Sequence, residues 1–152
     1  MQHPPPGRWS PELVAVHDGL TQIVREIIAG RPAAEGLPSF AQQAALSYIG
    51  RNPGCRATEI AESFGVHRST VSRQVRACMD AGWVEAGAGS LHAGYPLTLS
   101  AAGRAVLAAA NGHDLARLGE RLADWTSDEI ADFARALRRF HHPESTMGDE
   151  HA

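Results

Sequence analysis

The stretch "ATEIAESFGVHRSTVSRQVRACMDAG", residues 57–82, leaves few folds open. It reads as a helix of about two turns closed at Gly65, one connecting residue, and a second helix that stops at Gly82. Gly65 suits the left-handed conformation that ends a helix, because it lacks the Cβ that penalises that region. After Gly82, residues 83–86 ("WVEA") and 95–99 ("YPLTL") are short and carry enough aromatic and β-branched side chains to be strands. The glycine-rich "GAGSLHAG" joins them as a hairpin. Two short helices in tight succession followed by a hairpin predict a winged helix-turn-helix, with the second helix as the reader.

The remainder reads as helical, so the fold class is mainly α with a small β-hairpin wing. Ser10 offers an N-cap, Pro11 suits the first helical position and Glu12 the positive helix end, with Gly30 and Pro32 closing that helix. Within it Leu13, Val16, Leu20, Ile23 and Ile27 recur at spacings of three and four, a seam that wants a partner helix. Phe40, Ala44 and Ile49 mark a short helix closed by Gly50 and the Asn52-Pro53-Gly54 turn. Ser100 caps a long helix over residues 101–125, where Val106, Leu107, Leu115, Leu118 and Leu122 give an apolar side and Gly112 a place to bend. Then "TSDE", residues 126–129, resembles a capping box and precedes a second stripe of Ile130, Phe133, Leu137 and Phe140.

The middle of the chain has its own apolar set, so the two terminal stripes are surplus unless they build a second module. A homodimer buries them most economically. The expected organisation is a flexible N-terminus (1–10), a helical dimerisation module (11–38 with 100–141), a winged helix-turn-helix DNA-binding domain (39–99) and a flexible C-terminus (142–152).

At 100° per residue, Val71, Val75 and Cys78 fall on one side of the second helix and Ser69, Ser72, Arg73 and Arg76 on the other. Small hydroxyls beside arginines suit a helix lying in the major groove, since serine and threonine admit close approach while arginine pairs with guanine edges. The helix start near His67 points amides outward, making Ser69 and Thr70 candidate phosphate clamps. A formal net charge of −3 argues against indiscriminate polyanion binding, yet a repressor needs only one basic face. All 14 basic residues are arginine, whose charge is permanent and whose fork grips phosphate or guanine bidentately.

These residues resemble the MarR family of bacterial transcriptional regulators: "ATEIAESFGVHRSTVSRQVRACMDAGWVE" followed by "LTLSAAGRAVL" holds "STVSRQV", "AGWVE" and the entry to the long helix in that family's order. The resemblance spans about residues 40–110 and reaches more loosely to the terminal helices. It implies an obligate homodimer on a pseudo-palindromic operator of double-stranded DNA, usually repressing, released by a small phenolic or other organic effector, oxidation or metal. Its reader residues carry over to Arg68, Ser69, Thr70, Ser72 and Arg73, with His67 and Arg76 beside them. The family's effector pocket would draw on Trp9, His17, Tyr48 and Arg51.

Two departures stand out. The family's wing usually has an Asp-Arg pair and further basic residues, whereas here His92 is the only ionisable side chain between residues 87 and 94. Narrow minor grooves attract arginine strongly, so the wing's role is put in question. Arg56 also stands where a Ser or Thr would usually cap the helix.

Other functions are disfavoured. There is no P-loop, GxSxG, HExxH or recognisable carboxylate pair, so an enzyme is not expected. No apolar run approaches the roughly 20 residues that span a bilayer, no secretory leader is evident, and two cysteines outside any CxxC pattern fit a reducing cytoplasm. Cys78 falls on the apolar face of the reader helix, while Cys55, in a turn beside Arg56, is expected to be the more exposed thiol. The pairs His17–Asp18, His113–Asp114 and His141–His142 lack i,i+4 spacing, so neither metal nor cofactor is expected. The competing reading is a winged-helix dimer that binds DNA weakly or not at all and acts through a protein partner.

Overall fold

The computed structural model describes residues 9–28, 36–89 and 94–141. The chain divides into two compact units, Met1–Asn111 and Gly112–Ala152. The elements are α1 (Pro11–Ile28), α2 (Phe40–Arg51), α3 (Ala57–Phe64), α4 (Arg68–Asp80), β1 (Val84–Ala86), β2 (Leu97–Leu99), α5 (Ala101–Arg121) and α6 (Ser127–His141). No described helix is long and apolar enough to cross a membrane.

α1 starts where its cap dictates: the Ser10 hydroxyl accepts from the Leu13 amide at 3.2 Å. Its apolar seam is not buried, with Leu13, Val16, Leu20 and Ile23 between 37% and 54% exposed. The side chain of Ile27, the Gly30–Pro32 stop and most of both expected flexible ends lie outside the described residues.

The winged segment is built on one core. Leu46 and Ile49 from α2, Ile60 and Ala61 from α3, Val71, Val75 and Cys78 from α4, and Val84 and Leu97 from the hairpin meet in a single cluster. Leu46, Ile49 and Ile60 are fully buried, each worth about 1.5–3 kcal/mol relative to exposure. Gly65 closes α3 with φ 63° and ψ 33°, the left-handed geometry its lack of a Cβ predicts. β1 and β2 pair antiparallel with Val84 opposite Leu99 and Ala86 opposite Leu97. The strands are shorter than the sequence suggests, because Pro96 has no N–H for the ladder and contributes only its carbonyl, which accepts from Gly87 at 2.8 Å.

Three further expectations are corrected. Gly50 does not close α2: it lies inside the helix, and its missing side chain lets Leu99 approach to 3.1 Å of where a Cβ would stand. The helix ends at the expected Asn52-Pro53-Gly54 turn alone, with the Asn52 backbone and side-chain N–H groups both donating to the Tyr48 carbonyl. α5 ends at Arg121 rather than running through Trp125, which begins the approach to α6. Cys55 is not exposed; at 5% accessibility it belongs to the core, fixed by a backbone bridge to Leu97.

Ser100 joins the hairpin to α5. Its hydroxyl donates to the Gly82 carbonyl at 2.6 Å and accepts from the Gly103 amide at 2.9 Å. Gly103 must be glycine there, since a Cβ would meet the Trp83 carbonyl oxygen at 1.9 Å. In the second unit α6 is opened by a reciprocal capping box, with Thr126 N–H donating to Glu129 at 2.7 Å and Glu129 N–H to the Thr126 hydroxyl at 3.3 Å. Its stripe of Ile130, Phe133, Leu137 and Phe140 remains between 38% and 68% exposed.

Candidate nucleic-acid interface

α4 is held by α3 on one side and α2 and β1 on others, through Val71, Val75 and Cys78. The exposed set Ser69, Ser72, Arg73 and Arg76 repeats the i, i+3, i+4, i+7 pattern two positions earlier, so it points about 200° away from the core. Over 13 residues the helix is about 20 Å long, enough to present these side chains along a groove. Arg68, Arg73 and Arg76 are exposed and make no ion pair with another described residue. No carboxylate interrupts the helix before Asp80.

The start of α4 is open. His67 is its N-cap but supplies no side-chain cap bond, and its carbonyl takes the amides of Thr70 and Val71. The amides of Arg68 and Ser69 precede the first intrahelical bonds and face outward with the helix's partial positive charge. Thr70 is half-buried on the flank, where with Gln74 it borders an apolar cleft of about 400 Å³ whose walls include Phe40, Ala44, Phe64 and Val66. His92 lies outside the described residues.

The four residues expected around an effector are not brought together. Trp9 and His17 are exposed, His17 resting 3.1 Å from the Asp18 carboxylate. Tyr48 turns to Phe64, edge to face with ring centres 5.8 Å apart. Arg51 alone lines an open groove of about 780 Å³ between α2, β2 and the first part of α5. Arg104, which the sequence reading missed, lines the same groove. Arg51 Nε donates to the Ser47 carbonyl at 3.2 Å and Arg104 Nη1 to the Leu99 carbonyl at 2.9 Å, so each guanidinium is oriented with further donors to spare. Arg104, Leu107, Ala108 and Asn111 share helical spacing on the groove side of α5, and that stripe was the signal available.

Both thiols sit in surroundings that suppress reactivity. Burial pushes Cys78 up to about 11. Cys55 is also raised, by burial first and then by the carboxylate of Glu59. No group of three potential metal ligands occurs among the described residues.

Comparison with known proteins agrees with this architecture. The MarR family model matches residues 39–92. A crystal structure of MarR superposes with a TM-score of 0.72 at 24% identity, covering 91% of this chain and 100% of that one. The Mycobacterium tuberculosis MarR family protein Rv2887, in complex with p-aminosalicylic acid, gives 0.66 at 25% identity, covering 88% and 100%. Streptococcus pneumoniae FabT in complex with DNA gives 0.63 at 18% identity, covering 85% and 94%. No curated protein matches the sequence.

Proposed function

We propose, from the match of residues 39–92 to the MarR family model, that the protein is a MarR-type regulator: dimeric, cytoplasmic and sequence-specific in its binding to DNA. It acts as a repressor whose hold on a pseudo-palindromic operator is loosened by a small organic effector. The observation that carries this reading is the outward face of α4, where Ser69, Ser72, Arg73 and Arg76 form one hydrogen-bonding surface opposite the core. Arginine there suits guanine edges and the serines suit phosphates and close backbone approach. The uncapped amides at the start of α4 add phosphate donors, with His67, Arg68 and Thr70 beside them.

Residues 11–38 and 100–141 form the dimerisation module of this reading and residues 39–99 the DNA-binding domain. Its support is the amount of apolar side chain that α1 and α6 leave uncovered, which a second copy would bury. Two readers held by one dimer bind a two-fold site with the avidity that a single α4 lacks. The effector is an aromatic or aliphatic acid seated against Leu99 and Leu107, its anionic group held by Arg51 and Arg104. The salicylate and p-aminosalicylate complexes of Rv2887 are relatives' examples of such ligands.

The test is fluorescence anisotropy of the protein with the DNA upstream of its own gene and with a scrambled duplex, over a salt series. Tight binding to the first alone, with a clear salt slope, is expected. Equal weak binding to both would favour a second reading, action through a protein partner. One observation speaks for it: Phe40, Phe64 and Val66 stay exposed around the cleft beside α4. A chain carrying Phe40→Ser and Phe64→Ser that loses regulation while keeping DNA affinity would establish that alternative.

A further inference from the structure

The hairpin that should reach the minor groove carries no permanent positive charge: between Arg76 and Arg104 the sequence has neither arginine nor lysine. We propose that Arg56, at the start of α3, supplies the missing cation and pairs with the backbone phosphates that border the groove beneath the wing. The inference rests on the DNA-binding reading above and adds a residue to it.

The structure gives Arg56 the place, the freedom and the support that this task needs. Its neighbour Cys55 is stitched to β2, with the Leu97 amide donating to the Cys55 carbonyl at 2.9 Å and the Gly54 amide donating to the Leu97 carbonyl at 2.8 Å. Arg56 therefore leaves the chain at the hairpin's edge. Its methylene stem then runs along Gly94, at the root of the wing: a Cβ on Gly94 would stand 3.5 Å from Arg56 Cδ and 3.8 Å from Cβ and Cγ. Gly94 has φ +75°, so the position both requires glycine and leaves the stem its bed. A stem packed in this way keeps the charged head in water while losing part of its rotamer freedom beforehand, which lowers the cost of a later contact.

Among the described residues the Arg56 guanidinium has no ion-pair partner, and Glu59, the nearest acid in sequence, is taken up by the Arg56 backbone N–H at 2.7 Å. Nor does the side chain serve the helix it precedes, for it makes no cap bond to α3, and a cation at a helix N-terminus opposes the macrodipole. A residue placed against local preference, yet exposed and braced, fits an external anion better than a structural role. That end of α3 also borders the reader: Thr58, two residues on, shares a shallow hollow with Arg68 of α4.

The experiment measures binding of wild type, Arg56→Ala, Arg56→Lys and, as a contrast, Arg73→Ala to the upstream and scrambled duplexes across a salt series. Each Arg56 that engages a phosphate contributes about 0.9 to the slope of log affinity against log salt, so Arg56→Ala lowers the slope by about two in a dimer. Affinity falls by a similar factor on both duplexes, Arg56→Lys retains the slope, and Arg73→Ala instead lowers the ratio between them. An unchanged slope in Arg56→Ala, with thermal melting showing it folded, overturns the inference while leaving the DNA reading intact. A collapse of the sequence ratio in Arg56→Ala overturns the phosphate assignment. Wild type that binds neither duplex overturns both.

Discussion

Replacing Gly103 by alanine sets one carbon atom against the backbone of another element. The added Cβ would lie 1.9 Å from the Trp83 carbonyl oxygen and 2.8 Å from its carbon, where real contacts essentially never fall below 3.0 Å, so α5 must retreat by about 1.1 Å. Neither neighbour can yield cheaply. The same Trp83 oxygen accepts from the Ser100 amide at 3.0 Å, and the Ser100 hydroxyl bridges Gly82 and Gly103. Overpacking of this kind costs about 1–3 kcal/mol, and one stretched hydrogen bond adds about 1 kcal/mol. The expected loss is therefore about 2–4 kcal/mol, which lowers Tm by about 5–15 °C in a chain of this size. Gly112 is the internal control: it sits in the same helix with nothing within 4 Å of an added Cβ. Gly112→Ala should hold or gain about 0.4–1 kcal/mol through helix propensity and a less flexible unfolded chain. Urea unfolding of the two variants beside wild type decides the matter. A Gly103→Ala protein as stable as Gly112→Ala would show that the junction is looser than its geometry states.

Leu137→Asp, on the exposed stripe of α6, should convert a dimer to monomer in sedimentation equilibrium without altering the helical content of the winged segment; an unchanged dimer would remove α6 from the interface. Both cysteines should resist a thiol-specific disulfide reagent at pH 7.5 for as long as the protein is folded and react quickly in urea, since burial raises both and puts Cys78 at about 11; prompt reaction of native Cys55 would contradict its place in the core. Glu129 is held below its ordinary 4.5 by the Thr126 amide first and its hydroxyl second. A depressed carboxylate stabilises the fold above its unfolded pKa and loses that contribution as pH falls through the folded value, so the Thr126 amide shift should titrate with a midpoint below 4.5. Glu129→Gln should abolish that titration, and a wild-type midpoint at or above 4.5 would rule the capping carboxylate out.

The parts of this protein that could be read from its sequence are those set by neighbours along the chain. The two faces of α4 follow from spacing alone, as do the caps at Ser10, Gly65, Ser100 and Thr126, because each depends on contacts within a few residues. What escaped was decided by residues far apart. Cys55 looked like a turn thiol until its backbone met Leu97, and Gly50 looked like a helix stop because glycine serves equally where Leu99 must come close. Arg104 stands between the two cases: its helical stripe was legible, but its place in one groove with Arg51 exists only once α2, β2 and α5 are brought together.

A single residue separates the last strand from the long helix, and Ser100 spends its hydroxyl on both sides of that junction. Such a joint has no slack. A tilt of α5 cannot be taken up by a loop and passes at once to Gly82, two residues beyond the end of α4. The first turn of α5 and the end of α4 are thereby fastened through one hydroxyl, so whatever loosens the one loosens the other.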